Sequence, residues 1–163
     1  MRILGIDPGS VTTGFGVVED APGGLHALTW GAVRTTASHP LPERLKRIYD
    51  ALSETLRTWA PEAVAVERVF FADNPKTALV LGHARGVALL TVANAALPLV
   101  EYSALEIKQA VVGYGRADKT QVQQMVRALL RLDTLPQPAD AADALAAAIC
   151  HAHTHKFRRK VSP

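Results

Sequence analysis

Two short apolar runs constrain this chain more than any other feature. "ILGI" at residues 3–6 and "AVAV" at 63–66 are near-continuously aliphatic, and each is followed at once by a carboxylate, Asp7 or Glu67. Runs of this length with no polar alternation read as strands buried on both faces, which requires a sheet with layers on either side. An acid ending such a strand has two readings. Asp7 is followed by Pro8, Gly9 and Ser10, so it can simply cap a turn. Alternatively, a buried strand holds its last side chain rigidly at the sheet's end, where ligands of open α/β sheets gather.

The other elements follow from their patterns. "TGFGVVED" and "LHALTWGAVRTT" are rich in β-formers and separated by Pro22-Gly23-Gly24, which with the first strand predicts an antiparallel meander of three strands. Leu41, Leu45, Ile48, Leu52, Leu56 and Trp59 recur every three or four residues, the mark of an amphipathic helix that Pro61 ends. "AVAVERV" is the next strand, and a helix spans roughly 74 to 96 with Gly82 and Gly86 one turn apart. "LPLVEYS" is a strand, and Ser103 with Glu106 forms a capping box for a helix through Val112. After the "GYGRADK" loop come the helix "TQVQQMVRALLRL", a break at Pro136 and Pro138, and the alanine-rich helix "ADAADALAAAICHAH". The expected fold is a mixed α/β sheet with helices on both sides.

At 163 residues the chain is most simply one domain, residues 1–155, followed by a basic tail at 156–163. Its net charge of +3 is local: Lys156, Arg158, Arg159 and Lys160 crowd the tail, and without them 14 bases face 15 acids. A uniformly basic nucleic-acid-binding domain is thus excluded; binding by the body needs local cations, or metal ions that cancel acids. The tail is either mobile or available to grip phosphate. No apolar run is clean enough to span a bilayer, the N-terminus lacks a signal-peptide layout, and a single cysteine, Cys150, suits a reducing compartment. The expected location is the cytoplasm.

Two further acids, Asp140 and Asp143, lie three apart on the last helix and so share a face, about 4.5 Å apart along the axis. The alanines around them let the helix backbone lie close to a sheet. Each of the four acids has an ordinary structural reading on its own: a turn, an ion pair, a first helical turn. Together they suggest a cluster. Two carboxylates about 4 Å apart repel by roughly 4 kcal/mol at an effective dielectric of 20. Such a cluster needs protons or a cation, and oxygen-only donors point to Mg²⁺ or Mn²⁺ rather than zinc. Two such ions about 4 Å apart suit phosphodiester hydrolysis.

"GIDPGSVTTGFGVV", "VAVERVFFADNPKTALVLGHARGVAL", "IKQAVVGYGRADKTQVQQMV" and "ADAADALAAAICH", in this order over nearly the whole chain, resemble the RuvC family of Holliday junction resolvases. The resemblance implies a ribonuclease H-like fold with a five-stranded mixed sheet whose first three strands are antiparallel. It implies that Asp7, Glu67, Asp140 and Asp143 are catalytic and hold two Mg²⁺ ions, with Mn²⁺ able to substitute. It further implies a homodimer that nicks two strands of like polarity across four-way junction DNA, after branch migration by the RuvA and RuvB proteins. Phe70 falls at the family's base-stacking aromatic, with Phe71 beside it, and Lys108 and Lys119 at DNA-contacting lysines. Arg116, Asn74 and Lys76 are neighbouring candidates for DNA contact. Gly82 and Gly86 permit close approach, either to the chain's own sheet or, as in the family, to the same helix of a second copy.

Two rival classes compete with this reading. "DPGSVTTG" resembles the first phosphate loop of actin-like kinases and ATPases, but the chain shows neither a duplicated domain nor a Gly-Lys-Ser/Thr phosphate loop. A non-catalytic junction-binding module would not need all four acids. His151, His153 and His155 alternate, which suits a strand rather than the expected helix. His151 lies about 12 Å along that helix from Asp143, too far to share an ion with it.

Overall fold

The computed structural model describes residues 1–9, 11–68 and 74–161, the last four by their backbone only. The elements are β1 (Arg2–Asp7), β2 (Thr12–Ala21), β3 (Gly24–Arg34), α1 (Leu41–Trp59), β4 (Ala63–Glu67), α2 (Pro75–Asn94), β5 (Leu99–Tyr102), α3 (Ala104–Val112), α4 (Lys119–Leu129) and α5 (Ala139–Val161). They form one five-stranded sheet in the order β3-β2-β1-β4-β5. β1, β2 and β3 pair antiparallel, whereas β4 runs parallel to β1 and β5 parallel to β4. This is the expected mixed sheet with its antiparallel meander. The β2–β3 turn is Pro22-Gly23, and Gly23 takes φ +145°, which only glycine adopts without strain.

Period-two alternation sorts each central strand between two cores. Leu4 and Ile6, with Val17, Val64 and Val66, pack against Ile48, Leu52 and Leu56 of α1 and Ala84, Ala88 and Val92 of α2. Ile3 and Ala65 face the opposite way, toward Leu145 to Ile149 of α5, with Ile107 and Val111 of α3 and Val122 and Val126 of α4 around it. The same alternation turns Gly5, Asp7 and Glu67 toward α5.

α5 is the central helix. Every residue from Ala144 to Ala152 is buried, because the sheet covers one side and α3 and α4 the other. Such a helix carries no amphipathic stripe, which is why alanine dominates it. It also lies unusually low on the sheet. A Cβ at Gly5 would stand 1.8 Å from the Ala144 carbonyl oxygen, one at Gly14 2.0 Å from that of Asp140, and one at Gly16 2.6 Å from the Leu145 side chain. Three strand glycines thus form the bed on which the helix backbone rests.

Three boundaries differ from the sequence reading. β4 closes at Glu67 instead of running through Arg68, so Glu67 ends its strand as Asp7 ends β1. α4 begins at Lys119, capped by Asp118, whose carboxylate accepts from Gln121 N–H while the Gln121 side chain accepts from the Asp118 N–H. α5 runs to Val161, past the expected end at His153, and Lys156 Nζ lies 2.6 Å from Asp20 Oδ1 on β2.

α2 is the one described helix whose length and composition would allow it to cross a bilayer. Its buried face is Ala84, Ala88, Thr91 and Val92. Its other face is left open: Leu79 is 66% and Leu90 57% exposed, and a Cβ at Gly82 or Gly86 would meet nothing within 4 Å. The reading in which these glycines let α2 pack tightly on its own sheet is therefore wrong.

The glycine bed gives a stability prediction. Gly5→Val should cost about 3 kcal/mol or more through overpacking against α5, lowering the melting temperature by roughly 6–12 °C for a chain of this size. Circular dichroism melts of the two proteins check this; a variant melting within 2 °C of the parent would contradict the close approach.

Candidate active site

β1 and β4 are parallel neighbours in register, Ile6 opposite Val66, and each ends one residue later on its acid. Asp7 and Glu67 therefore stand side by side at the carboxyl ends of adjacent strands, about 4.8 Å apart along the hydrogen-bonding direction. Across β1 on its other side, Asp7 is opposite Gly14. Gly14 is the residue that the Asp140 carbonyl nearly touches. The first turns of α5 thus lie directly over the strand ends, and bring Asp140 and Asp143 to the two strand acids.

The electrostatics report the same convergence. Asp7 is pushed up to about 7, first by burial, then by the charges of Asp143, Glu67 and Asp140, against a smaller opposing effect of Lys119. Glu67 is raised by burial and by Asp143, and lowered by Lys108 and Lys119. Lys119 Nζ makes an ion pair with Asp143 Oδ2 at 2.8 Å, and that hydrogen bond raises its own pKa. Glu67, Lys108, Lys119 and Asp143, with Ala104, Ile107, Val122 and Ala146, line a cleft of about 280 Å³.

Among the described residues no three acid, histidine or cysteine side chains stand together as a ready-made ligand set. The donor chemistry nevertheless fits a hard divalent cation. All four donors are carboxylates, the charges of Asp143, Glu67 and Asp140 all reach Asp7, and the burial of Asp7 makes an uncompensated negative charge there costly. Asp7, Glu67, Asp140 and Asp143 are the residues that would hold it.

The other expected site residues divide. Lys108 and Lys119 do line the cleft. Asn74 is the N-cap of α2, its Oδ1 accepting from Thr77 N–H at 2.9 Å, and Lys76 is exposed in that helix's first turn. Arg116 is exposed in the α3–α4 loop and is not among the cleft-lining residues. Phe70 and Phe71 lie outside the described residues. The histidines are structural: His151 is buried on the Tyr102 hydroxyl at 2.9 Å, His153 Nδ1 donates to the Ala110 carbonyl at 3.0 Å, and His155 stacks on His151. Cys150 is a core residue whose thiol burial pushes up to about 11. Two features escaped the sequence reading. The Asp118–Gln121 capping box was legible as a D-x-x-Q spacing and fixes Lys119 at the start of α4. Arg85 donates to the Glu67 main-chain oxygen at 2.8 Å, a contact for which the sequence carries no signal.

Comparisons with known proteins agree with this geometry. The sequence model of the family described as crossover junction endodeoxyribonuclease RuvC matches residues 3–151. The crossover junction endodeoxyribonuclease RuvC of Syntrophotalea carbinolica is 59% identical over 153 residues, 94% of each chain. The solved Thermus thermophilus RuvC structure superposes with a TM-score of 0.89 at 37% identity over 97% of both chains. The same protein in complex with a Holliday junction substrate gives 0.88 at 35% identity over 96% of both. The mixed five-stranded sheet with its flanking helices is that of a ribonuclease H-like resolvase. Within that class, the chain belongs to the RuvC family of crossover junction endodeoxyribonucleases.

The Asp7 environment fixes a pH dependence. In the fold Asp7 keeps its proton to about pH 7, whereas in the unfolded chain it loses it near 3.8. The folded state binds the extra proton across that interval, so stability of the metal-free protein falls as pH rises from about 4 to about 7, by on the order of 4 kcal/mol. Asp7→Asn removes this penalty. Without divalent cations the variant should melt several degrees above the parent at pH 8 and close to it at pH 4. Equal melting temperatures at pH 8 would mean that Asp7 is not in a buried anionic cluster.

Proposed function

We propose that this protein is a structure-selective endonuclease that resolves Holliday junctions by symmetric paired nicks, in homologous recombination and DNA repair. The observation that carries this reading is the convergence of Glu67, Asp140 and Asp143 on Asp7, where two parallel strands end under α5, in a chain of the RuvC family. The junction as substrate is supported by the relative solved with one. Mg²⁺ is the proposed cofactor, two ions per site, with Mn²⁺ able to substitute; bound there it would supply Lewis-acid stabilisation and a more acidic water.

The chain's own groups do the rest. Asp7 and Glu67 are held by strands and Asp140 and Asp143 by a core helix, so the acids stand on rigid elements rather than on loops. Lys119 and Lys108 are the cations of the cleft that a phosphate meets. Lys119 is tethered to Asp143, which places its ammonium beside the acids and at a helix start, where backbone N–H groups also favour an anion. Phe70 and Phe71, next to the acidic strand, are proposed to stack on unpaired bases, and Arg116, Asn74 and Lys76 to reach the backbone. The nuclease unit is proposed as residues 1–155, with the basic residues beyond Lys156, which is itself paired with Asp20, adding phosphate affinity.

The open face of α2 supports a homodimer. Leu79, Gly82, Gly86 and Leu90 recur at helical spacing and have no core partner among the described residues. A two-fold axis there gives two equivalent sites for two equivalent strands. In this reading the RuvA and RuvB branch-migration proteins deliver the junction, in the cytoplasm.

Two experiments test the proposal. Purified protein with Mn²⁺ or Mg²⁺ should nick a synthetic four-way junction in symmetric pairs and leave a linear duplex intact. Asp7→Asn should bind the junction as the parent does and cut it at least about a thousandfold more slowly; a variant that cuts normally refutes the chemistry, and binding by a parent that never cuts identifies a non-catalytic junction binder. In sedimentation the protein should run at twice its 17.5 kDa chain mass, and Gly86→Arg should reduce it to the monomer. A monomeric parent would remove α2 as the interface.

A further inference from the structure

The carboxylate of Glu67 and the group that grips its main-chain oxygen lie on opposite faces of the sheet. The side chain turns toward α5, into the cleft with Lys108, Lys119 and Asp143. The carbonyl oxygen, at the last residue of β4, accepts from Arg85 Nη1 at 2.8 Å, and Arg85 belongs to α2 on the other face. The second guanidinium nitrogen, Nη2, bonds Glu101 of β5. Glu101 is opposite Val66, so it shares the α2-facing side of the sheet, and its other oxygen lies 3.7 Å from Arg68 Nε. The Arg85 side chain is only 17% exposed. A forked guanidinium here grips the end of one strand and an acid on the next strand at once, which a single ammonium cannot do with the same rigidity.

Arg85 does this without neutralising the catalytic acid. Its charge is matched by Glu101 instead. On the other side β5 secures the following residue, Arg68 N–H donating to the Tyr102 carbonyl at 2.7 Å. The ladder with β1 ends one residue before Glu67, at Ile6 opposite Val66. Arg85 thus supplies a fixed partner where pairing with the central strand stops.

We propose that Arg85, backed by Glu101, is a positioning residue that sets the Glu67 carboxylate for metal binding and strand cleavage from the far side of the sheet. The proposal rests on the nuclease reading above. It also makes α2, through Arg85, a mechanical support of the acid rather than only a candidate interface. A displacement of about 1 Å at such a group is enough to cost about a hundredfold in rate.

The test compares Arg85→Ala, Arg85→Lys and Glu101→Gln with the parent in three measurements: junction affinity in Ca²⁺, cleavage rate of the bound junction in Mn²⁺, and the rise in melting temperature that Mn²⁺ alone produces. Arg85→Ala should keep junction affinity within about twofold, cleave at least about tenfold more slowly, and show a clearly smaller Mn²⁺-induced rise. Arg85→Lys should recover part of both losses, since an ammonium can reach one of the two acceptors. Parent-like cleavage and Mn²⁺ response in Arg85→Ala overturn the proposal, as does a loss of cleavage fully matched by a loss of junction binding. If Arg85→Ala does not fold, Glu101→Gln decides, because it leaves the guanidinium present and weakens only its anchor; unchanged cleavage and Mn²⁺ response there also overturn it. A parent that does not cut would sink the nuclease reading, and the Mn²⁺-induced rise would still decide the role of Arg85.

Discussion

The structure depends on one close approach, that of the α5 backbone to β1 and β2. Helices usually stand off a sheet by the depth of two side-chain layers. Here Gly5, Gly14 and Gly16 remove one layer and the alanines of α5 thin the other. The result is a helix carbonyl, that of Asp140, in near contact with the strand residue opposite Asp7. Without that approach the α5 acids would sit too high to influence the strand acids. With it, Asp143 and Asp140 both add to the burial that displaces Asp7. A packing detail among the smallest side chains in the chain therefore decides whether four anionic groups form one site.

Gathering like charges in a partly buried place works against folding, and the structure shows how the conflict is contained. One acid holds its proton to near neutrality, one is tied to a lysine, and the acids sit at element ends where solvent still reaches them. The large cores on both faces of the sheet supply the stability against which this strain is set. Lys119 has a double character in this arrangement. It is a counter-charge to Asp143 at rest and lies in the cleft that a phosphate would enter.

Much of this was legible in the amino-acid order. The apolar runs of β1 and β4, the heptad-like spacing of α1 and the Ser103–Glu106 box each carry a local signal, and those elements formed where that signal lies. The four acids stood out because they broke patterns that were otherwise apolar or alanine-rich. What stayed hidden is what depends on contacts between distant segments. Nothing near Gly5, Gly14 or Gly16 shows that a helix some 130 residues later will rest on them; a strand glycine reads only as a weak point. Arg85 reads as an ordinary basic residue on an apolar helix until the fold brings the end of β4 to it. The end of α5 was set too early, because an alanine-rich run gives no stop signal and the basic residues beyond it suit a helix C-terminus as well as a tail.

The burial of α5 from Ala144 to Ala152 limits how a substrate could be accommodated. Asp140 and Asp143 cannot shift without dragging a helix through two hydrophobic layers, and Asp7 and Glu67 cannot shift without breaking the sheet. That wall of the cleft is inflexible, while the lysine facing it is long, largely exposed and held there only by its ion pair with Asp143. A nucleic acid entering the cleft would have to do most of the bending itself. Selectivity would then arise from how cheaply a given backbone can be contorted to reach an unyielding pocket, so a branched strand already parted from its helix would have an advantage over an intact duplex.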